Sequence, residues 1–138
     1  YEKENRIFKE LDYGEEPTFS AAGNGGIWCS VTDLHKYYLA LQKPAFLNKE
    51  IIAGSMQVKR FDNWSSEKEP NNGYRWFITK AINGLERIGR TGSQGGFRAN
   101  FQFIPEKKIF VGMLFNTPHN CDILMEKIEL ILKEENYL

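Results

Sequence analysis

The chain has 138 residues, enough for one domain with a sizeable core, and 41% of them are hydrophobic and 26% charged, as in ordinary soluble globular proteins. Its 18 basic and 18 acidic side chains cancel, so no strong field recommends nucleic acid or an anionic membrane as a partner. No apolar run is long enough to span a bilayer, and no charged-then-apolar leader opens the sequence.

Taken in chain order, residues 1–17 are polar with few apolar anchors and read as an irregular lead-in. The chain starts at Tyr1 rather than at a methionine, which suggests a processed product or a piece of something longer. Gly23-Asn24-Gly25-Gly26 demands a turn, because glycine accepts backbone angles closed to other residues. Ser30 and Asp33, three apart, form a capping-box pattern. Leu34, Tyr37, Tyr38 and Leu41 follow as one helix face, and Pro44 stops that helix. A second, short helix spans Leu47 to Met56, with Asn48 as its cap and Gly54 near its end.

Phe61 to Asn72 is a polar loop. Asn83-Gly84 between two strand-like runs predicts a hairpin with a type I′ turn, in which both central residues take positive φ. Phe97, Ala99, Phe101 and Phe103 alternate with Arg98, Asn100 and Gln102, the pattern of a half-buried strand. Pro105 to Lys108 turns the chain. The run from Ile109 to Asn116 is apolar on both faces and reads as a central strand covered on both sides. Leu124, Ile128, Ile131 and Leu132 then make a helical stripe after Asn120 and Asp122. The expected fold is α+β: an antiparallel sheet of about four strands flanked by helices, in a single domain over 1–138, without repeats.

Two stretches carry the chemistry. Residues 23–41, glycine-rich turn and helix, resemble the corresponding turn, helix start and helix of serine β-lactamase-like and penicillin-binding proteins, the class C and esterase branch above all. Residues 90–116 are similar to that family's Lys/His-Thr/Ser-Gly motif and the two strands after it. The resemblance runs from about Ala21 to the C-terminus. It implies the C-terminal part of a β-lactamase/transpeptidase-like fold, a hydrolase acting by acyl transfer on a β-lactam, a D-Ala-D-Ala-like peptide or an ester. It also implies an N-terminal half of the same protein as partner, a periplasmic or cell-surface home, and no cofactor.

In that family a hydroxyl from Ser-x-x-Lys attacks the carbonyl, with a Tyr-x-Asn or Ser-x-Asn loop and the Lys-Thr-Gly strand completing the site. A serine needs a nearby base to become a nucleophile. By resemblance Arg90 takes the Lys/His position, Thr91 and Gly92 match directly, and the Ser93 backbone N–H is the oxyanion donor. Arginine binds carboxylates bidentately but is permanently charged, so it anchors substrate without moving protons. Beside this stands the plain structural reading, in which Arg90-Thr91-Gly92 ends a strand.

The nucleophile is not in these residues. Ser65-Ser66-Glu67-Lys68 spells Ser-x-x-Lys, but it sits among polar residues before Pro70 instead of at a helix start over an apolar core. No Tyr-x-Asn or Ser-x-Asn occurs. The expected chain is therefore inactive on its own; the alternative is a non-catalytic module that binds a peptide or cell-wall fragment by strand addition beside Gly92. Either way, a missing half would leave an exposed apolar face. Cys29 and Cys121 match no metal spacing and read as buried free thiols, though a disulfide stays open. His35 and His119 read as a helix and a loop histidine, so no metal site is expected. Trp28, Tyr37, Tyr38, Trp76 and Phe77 read mostly as core, with Trp28 able to line a cleft. Asn63-Trp64-Ser65 matches the glycosylation pattern, a frequent chance match.

Overall fold

The computed structural model describes residues 2–4, 7–9, 27–43, 47–62, 71–94, 97–117 and 120–138. The Gly23–Gly26 turn, Pro44, the Ser65–Lys68 tetrad, Asn63, Gly95, Gly96 and His119 lie outside them. Two short antiparallel strands, β1 (Glu2–Glu4) and β2 (Ile7–Lys9), pair Lys3 with Phe8. Residues 2–4 and 7–9 thus pair as strands where polarity alone suggested an irregular segment. Backbone pairing needs no apolar side chains, so composition does not report it.

Helix α1 (Val31–Leu41) begins as the capping pattern requires. The Asp33 N–H donates to Ser30 Oγ at 3.2 Å, and the Ser30 N–H donates back to Asp33 Oδ2 at 3.1 Å. Two of the four orphan donors of the first turn are satisfied this way. Asp33 also pairs with exposed Lys36 at 3.0 Å. Tyr38 and Leu41 are buried and Leu34 half-buried, as the periodicity predicts, while Tyr37 stays largely outside. Helix α2 (Lys49–Ser55) is capped by Asn48, whose Oδ1 accepts from the Glu50 N–H at 2.8 Å.

The main sheet is an antiparallel meander in the order β3 (Phe77–Lys80), β4 (Glu86–Gln94), β5 (Phe97–Ile104), β6 (Ile109–Phe115). The β3–β4 hairpin stands where Asn83-Gly84 places it, but its turn is of another type. Only Gly84 has positive φ, at 83°, and Asn83 does not. Gly84 donates to the Ala81 carbonyl and Ala81 to the Leu85 carbonyl, both at 2.9 Å. The loop is a tight turn followed by a left-handed glycine, and Asn83 Oδ1 secures it by accepting from the Leu85 N–H at 3.1 Å.

One row across the sheet is Ile78, Ile88, Phe103 and Phe110. Ile78, Ile88 and Phe103, together with Phe101 and Tyr38 of α1, form the buried apolar cluster, with Phe110, Leu34, Met56 and Trp76 packed against it. The Tyr38 ring lies 5.2 Å from Phe103 and 5.4 Å from Phe110. Offset and edge-on ring pairs of this kind add to the burial of their area.

On the opposite side of β5 the sequence expectation fails. Asn100 and Gln102 are buried, not solvent-facing, and Ile104 beside them is fully enclosed. The closing helix α3 (Cys121–Glu134) packs against β5, and its Cys121, Met125 and Glu129 are buried. Ile131, expected in the apolar stripe, is 58% exposed, while Leu124, Ile128 and Leu132 are half-buried. The helix is turned toward Met125 and Glu129 because Glu129 is tied to the β3–β4 hairpin by Arg87 Nη1 at 2.7 Å and the Ile82 N–H at 2.9 Å. The α3 N-terminus is capped by Asn120, which accepts from the Asp122 and Ile123 N–H groups.

Strand β6 is a correction too. It pairs with β5 alone among the described residues and so lies at an edge of the sheet. Its apolar pattern reflects covered faces: Phe110 lies under His35 and Tyr38 of α1. Side-chain pattern reports the faces of a strand and is silent on its edges.

Candidate active site

Arg90, Thr91, Gly92 and Ser93 lie on the second half of β4 and all are exposed. Strand β5 pairs with this half throughout: Arg90 with Phe101, Thr91 with Asn100, Gly92 with Ala99, Ser93 with Arg98. The other edge is different. Strand β3 begins at Phe77, whose partner is Gly89, so the edge of β4 from Arg90 onward has no neighbouring strand among the described residues. Backbone N–H and C=O groups of an unpaired edge are ready to pair with an extended ligand.

The side chains along this segment divide by alternation. Arg90 shares its side of the sheet with Ile88 and Phe101, the side on which α1 packs. Its guanidinium carbon lies 4.7 Å from the centre of the Phe77 ring. Ser93 and Arg98 face each other, and Arg98 Nη1 donates to Ser93 Oγ and to the Phe97 carbonyl, the latter at 3.1 Å. The Ser93 hydroxyl is thus occupied by an arginine, with no base beside it among the described residues.

Two glycines in β4 have different reasons. A Cβ at Gly89 would press on the Phe101 carbonyl oxygen and come 2.6 Å from Gln102 Cγ, so packing forbids any side chain there. A Cβ at Gly92 would meet only Ala99 Cβ, at an ordinary 3.8 Å. The described packing therefore does not demand a glycine at position 92; what its absence of side chain provides is open space over the strand.

Aromatic rings border the same region. Tyr37 and Trp76 lie 5.8 Å and 5.9 Å from Phe101, and Trp28 stands edge-on to Phe97 at 5.6 Å. Of the aromatics expected in the core only Tyr38 is buried; Trp28 is 82% exposed, with Ile27 beside it similarly bare. Phe77 is partly exposed, and Trp76 half-buried.

The remaining sequence candidates do not join this constellation. His35 stacks on Phe110 and Tyr38 from α1. Cys29 and Cys121 are not joined in a disulfide, and Cys29 is only half-buried. Burial pushes the Cys121 thiol up, with Asp122 adding to the shift and Arg98 opposing it, which makes it a poor nucleophile. Among the described residues no group of three His, Cys, Asp or Glu side chains could hold a metal ion, and no helix is long and apolar enough to cross a membrane.

Two paired strands and a closing helix follow the strand that carries Arg90-Thr91-Gly92, in the order that the resemblance implies. The family model for beta-lactamases matches residues 2–134. The chain belongs to the beta-lactamase family. Searches of curated proteins and of solved structures each returned no match. Membership accounts for the four-stranded antiparallel sheet and its flanking helices as a beta-lactamase-like α+β architecture. What sequence reasoning missed is the contact between Phe77 and Arg90, since no short motif signals that this ring meets the guanidinium.

Proposed function

We propose that this chain forms the C-terminal wall of a serine acyl-transfer site whose nucleophile and base reside in an N-terminal half of the same protein. The observation that carries this reading is the exposed edge of β4 at Arg90-Thr91-Gly92, free of a neighbouring strand among the described residues. A substrate lies along that edge. Its carboxylate meets Arg90, and the oxygen of the attacked carbonyl meets the Ser93 backbone N–H. The serine hydroxyl adds to the carbonyl carbon, the amine or alcohol leaves with a proton, and water releases the acyl group. Because a guanidinium does not give up its proton in proteins, Arg90 serves as the anion anchor and the proton moves through groups of the other half.

Substrates of this shape are a β-lactam, a D-Ala-D-Ala-like peptide and a small ester. On this reading the protein works in the periplasm or at the cell surface, and residues 1–138 alone are inactive. The test is a steady-state assay of the joined halves on all three substrate types. Turnover of at least one, with kcat/KM reduced at least tenfold in Arg90→Ala, is expected. No turnover of any would defeat the catalytic reading.

The arginine itself favours a second reading, a binding module without catalysis, since a permanent cation stands where the family has a lysine or histidine. Titration with a cell-wall stem peptide separates the two: binding without turnover, lost in Arg90→Ala, supports the module.

A further inference from the structure

The three arginines of β4 and β5 are engaged in different ways. Arg87 spends its donors on Glu129 and on Thr79 Oγ1. Arg98 spends its donors on Ser93 and the Phe97 carbonyl. Arg90 is exposed, and among the described residues its guanidinium meets no carboxylate and no hydrogen-bond acceptor, only the Phe77 ring, whose centre lies 4.7 Å from the guanidinium carbon. Phe77, opposite Gly89, starts on the other face, so the two meet around the open edge of β4. That ring is free to take this place. Its cross-strand partner is Gly89, so no side chain stands opposite it, and packing against Phe101 and Gln102 keeps position 89 a glycine.

The geometry points to Phe77 as a positioning residue for Arg90: the ring holds the guanidinium at the open edge of β4, with its N–H donors presented to a substrate carboxylate. A ring attracts the delocalised charge of arginine and leaves its N–H fork for an anion. A free arginine side chain loses much rotamer freedom when it clamps a ligand. A ring that restrains it beforehand lowers that cost, which is the general route by which preorganisation raises affinity. Phe77 is suited to the task because it stands at the first residue of β3, where the strand stops covering β4.

This inference rests on Arg90 being the carboxylate anchor, and the experiment separates the two. The probe is N-acetyl-D-alanyl-D-alanine, titrated into the full polypeptide and its Phe77→Leu, Phe77→Tyr and Arg90→Ala variants. Phe77→Tyr keeps the ring and is expected to bind like the unmodified protein. Phe77→Leu is expected to bind about two- to fivefold more weakly, and Arg90→Ala more weakly still. Equal weakening in Phe77→Tyr and Phe77→Leu, or none in Phe77→Leu while Arg90→Ala loses affinity, would overturn the role of Phe77 and leave the anchor standing. Unchanged binding in Arg90→Ala, or no binding by the unmodified protein, removes the anchor and the inference with it. A second readout needs no variant to fold: the Arg90 Nε–H proton should resonate upfield through the Phe77 ring current, and an unshifted signal would contradict the stacking.

Discussion

Glu129 on α3 and Arg87 on β4 form an ion pair at 2.7 Å, with Glu129 only 3% exposed, Arg87 half-buried, and the second Glu129 oxygen accepting from the Ile82 N–H. One carboxylate thus fastens the closing helix to the β3–β4 hairpin. Removing Glu129 leaves the half-buried Arg87 charge without its carboxylate and the Ile82 N–H without its acceptor, at the low end of the roughly 3–5 kcal/mol that breaking a buried pair typically costs. Glu129→Ala is therefore expected to destabilise the protein by about 3 kcal/mol. Urea denaturation checks this, and a loss under about 1 kcal/mol would show that the pair does not hold α3 in place.

Asn100 stands across from Thr91, fully buried, and neither its side-chain oxygen nor its nitrogen finds a hydrogen-bond partner among the described residues. A buried amide without partners carries its desolvation penalty uncompensated. Asn100→Leu, close in size, should raise the stability by about 1 kcal/mol. A clear loss on thermal unfolding would mean that the amide is satisfied in solution.

Asp33 shows its capping role in its titration. The Ser30 side chain, then Lys36 and the Ser30 backbone N–H, hold its carboxyl down from 3.8 to about 2. A depressed carboxyl contributes stability above its unfolded pKa and loses it as pH falls through the folded value. The start of α1 should thus stay capped at pH 4 and fray between pH 4 and pH 2. Following the Asp33 carboxyl carbon by NMR checks the midpoint; titration near 3.8 would mean that the capping box is not formed.

The helix cap, the hairpin position and the strand order were legible because each follows from local chemistry: Ser30 with Asp33, the glycine at 84, the alternation from Phe97 to Phe103. What escaped depends on partners. Asn100 and Gln102 read as surface until α3 covers them, and Ile131 reads as core until Arg87 draws Glu129 inward. The edge position of β6 and the start of β3 at Phe77 are pairing facts that no side-chain pattern encodes. The tripeptide at Arg90 was visible as a motif, while the Phe77 ring that its guanidinium meets was not.

Gly92 separates the functional reading of that tripeptide from the structural one. The described packing leaves room for a methyl group there, so Gly92→Ala should change stability by no more than about 0.5 kcal/mol. Over an occupied edge the same methyl group stands in the path of the ligand. Affinity for N-acetyl-D-alanyl-D-alanine should fall at least tenfold. Unchanged affinity with unchanged stability would return Gly92 to an ordinary strand position.

The central claim is that the β4 edge is one wall of a serine acyl-transfer site completed by another part of the protein. Intact-protein mass after incubation with a β-lactam, a D-Ala-D-Ala-like peptide and a small ester, each in turn, tests it. A single acyl adduct from at least one of the three is expected on the joined polypeptide, on a serine outside residues 1–138, and none on the 138-residue chain alone. No adduct on the joined polypeptide, or an adduct within this chain, would contradict it.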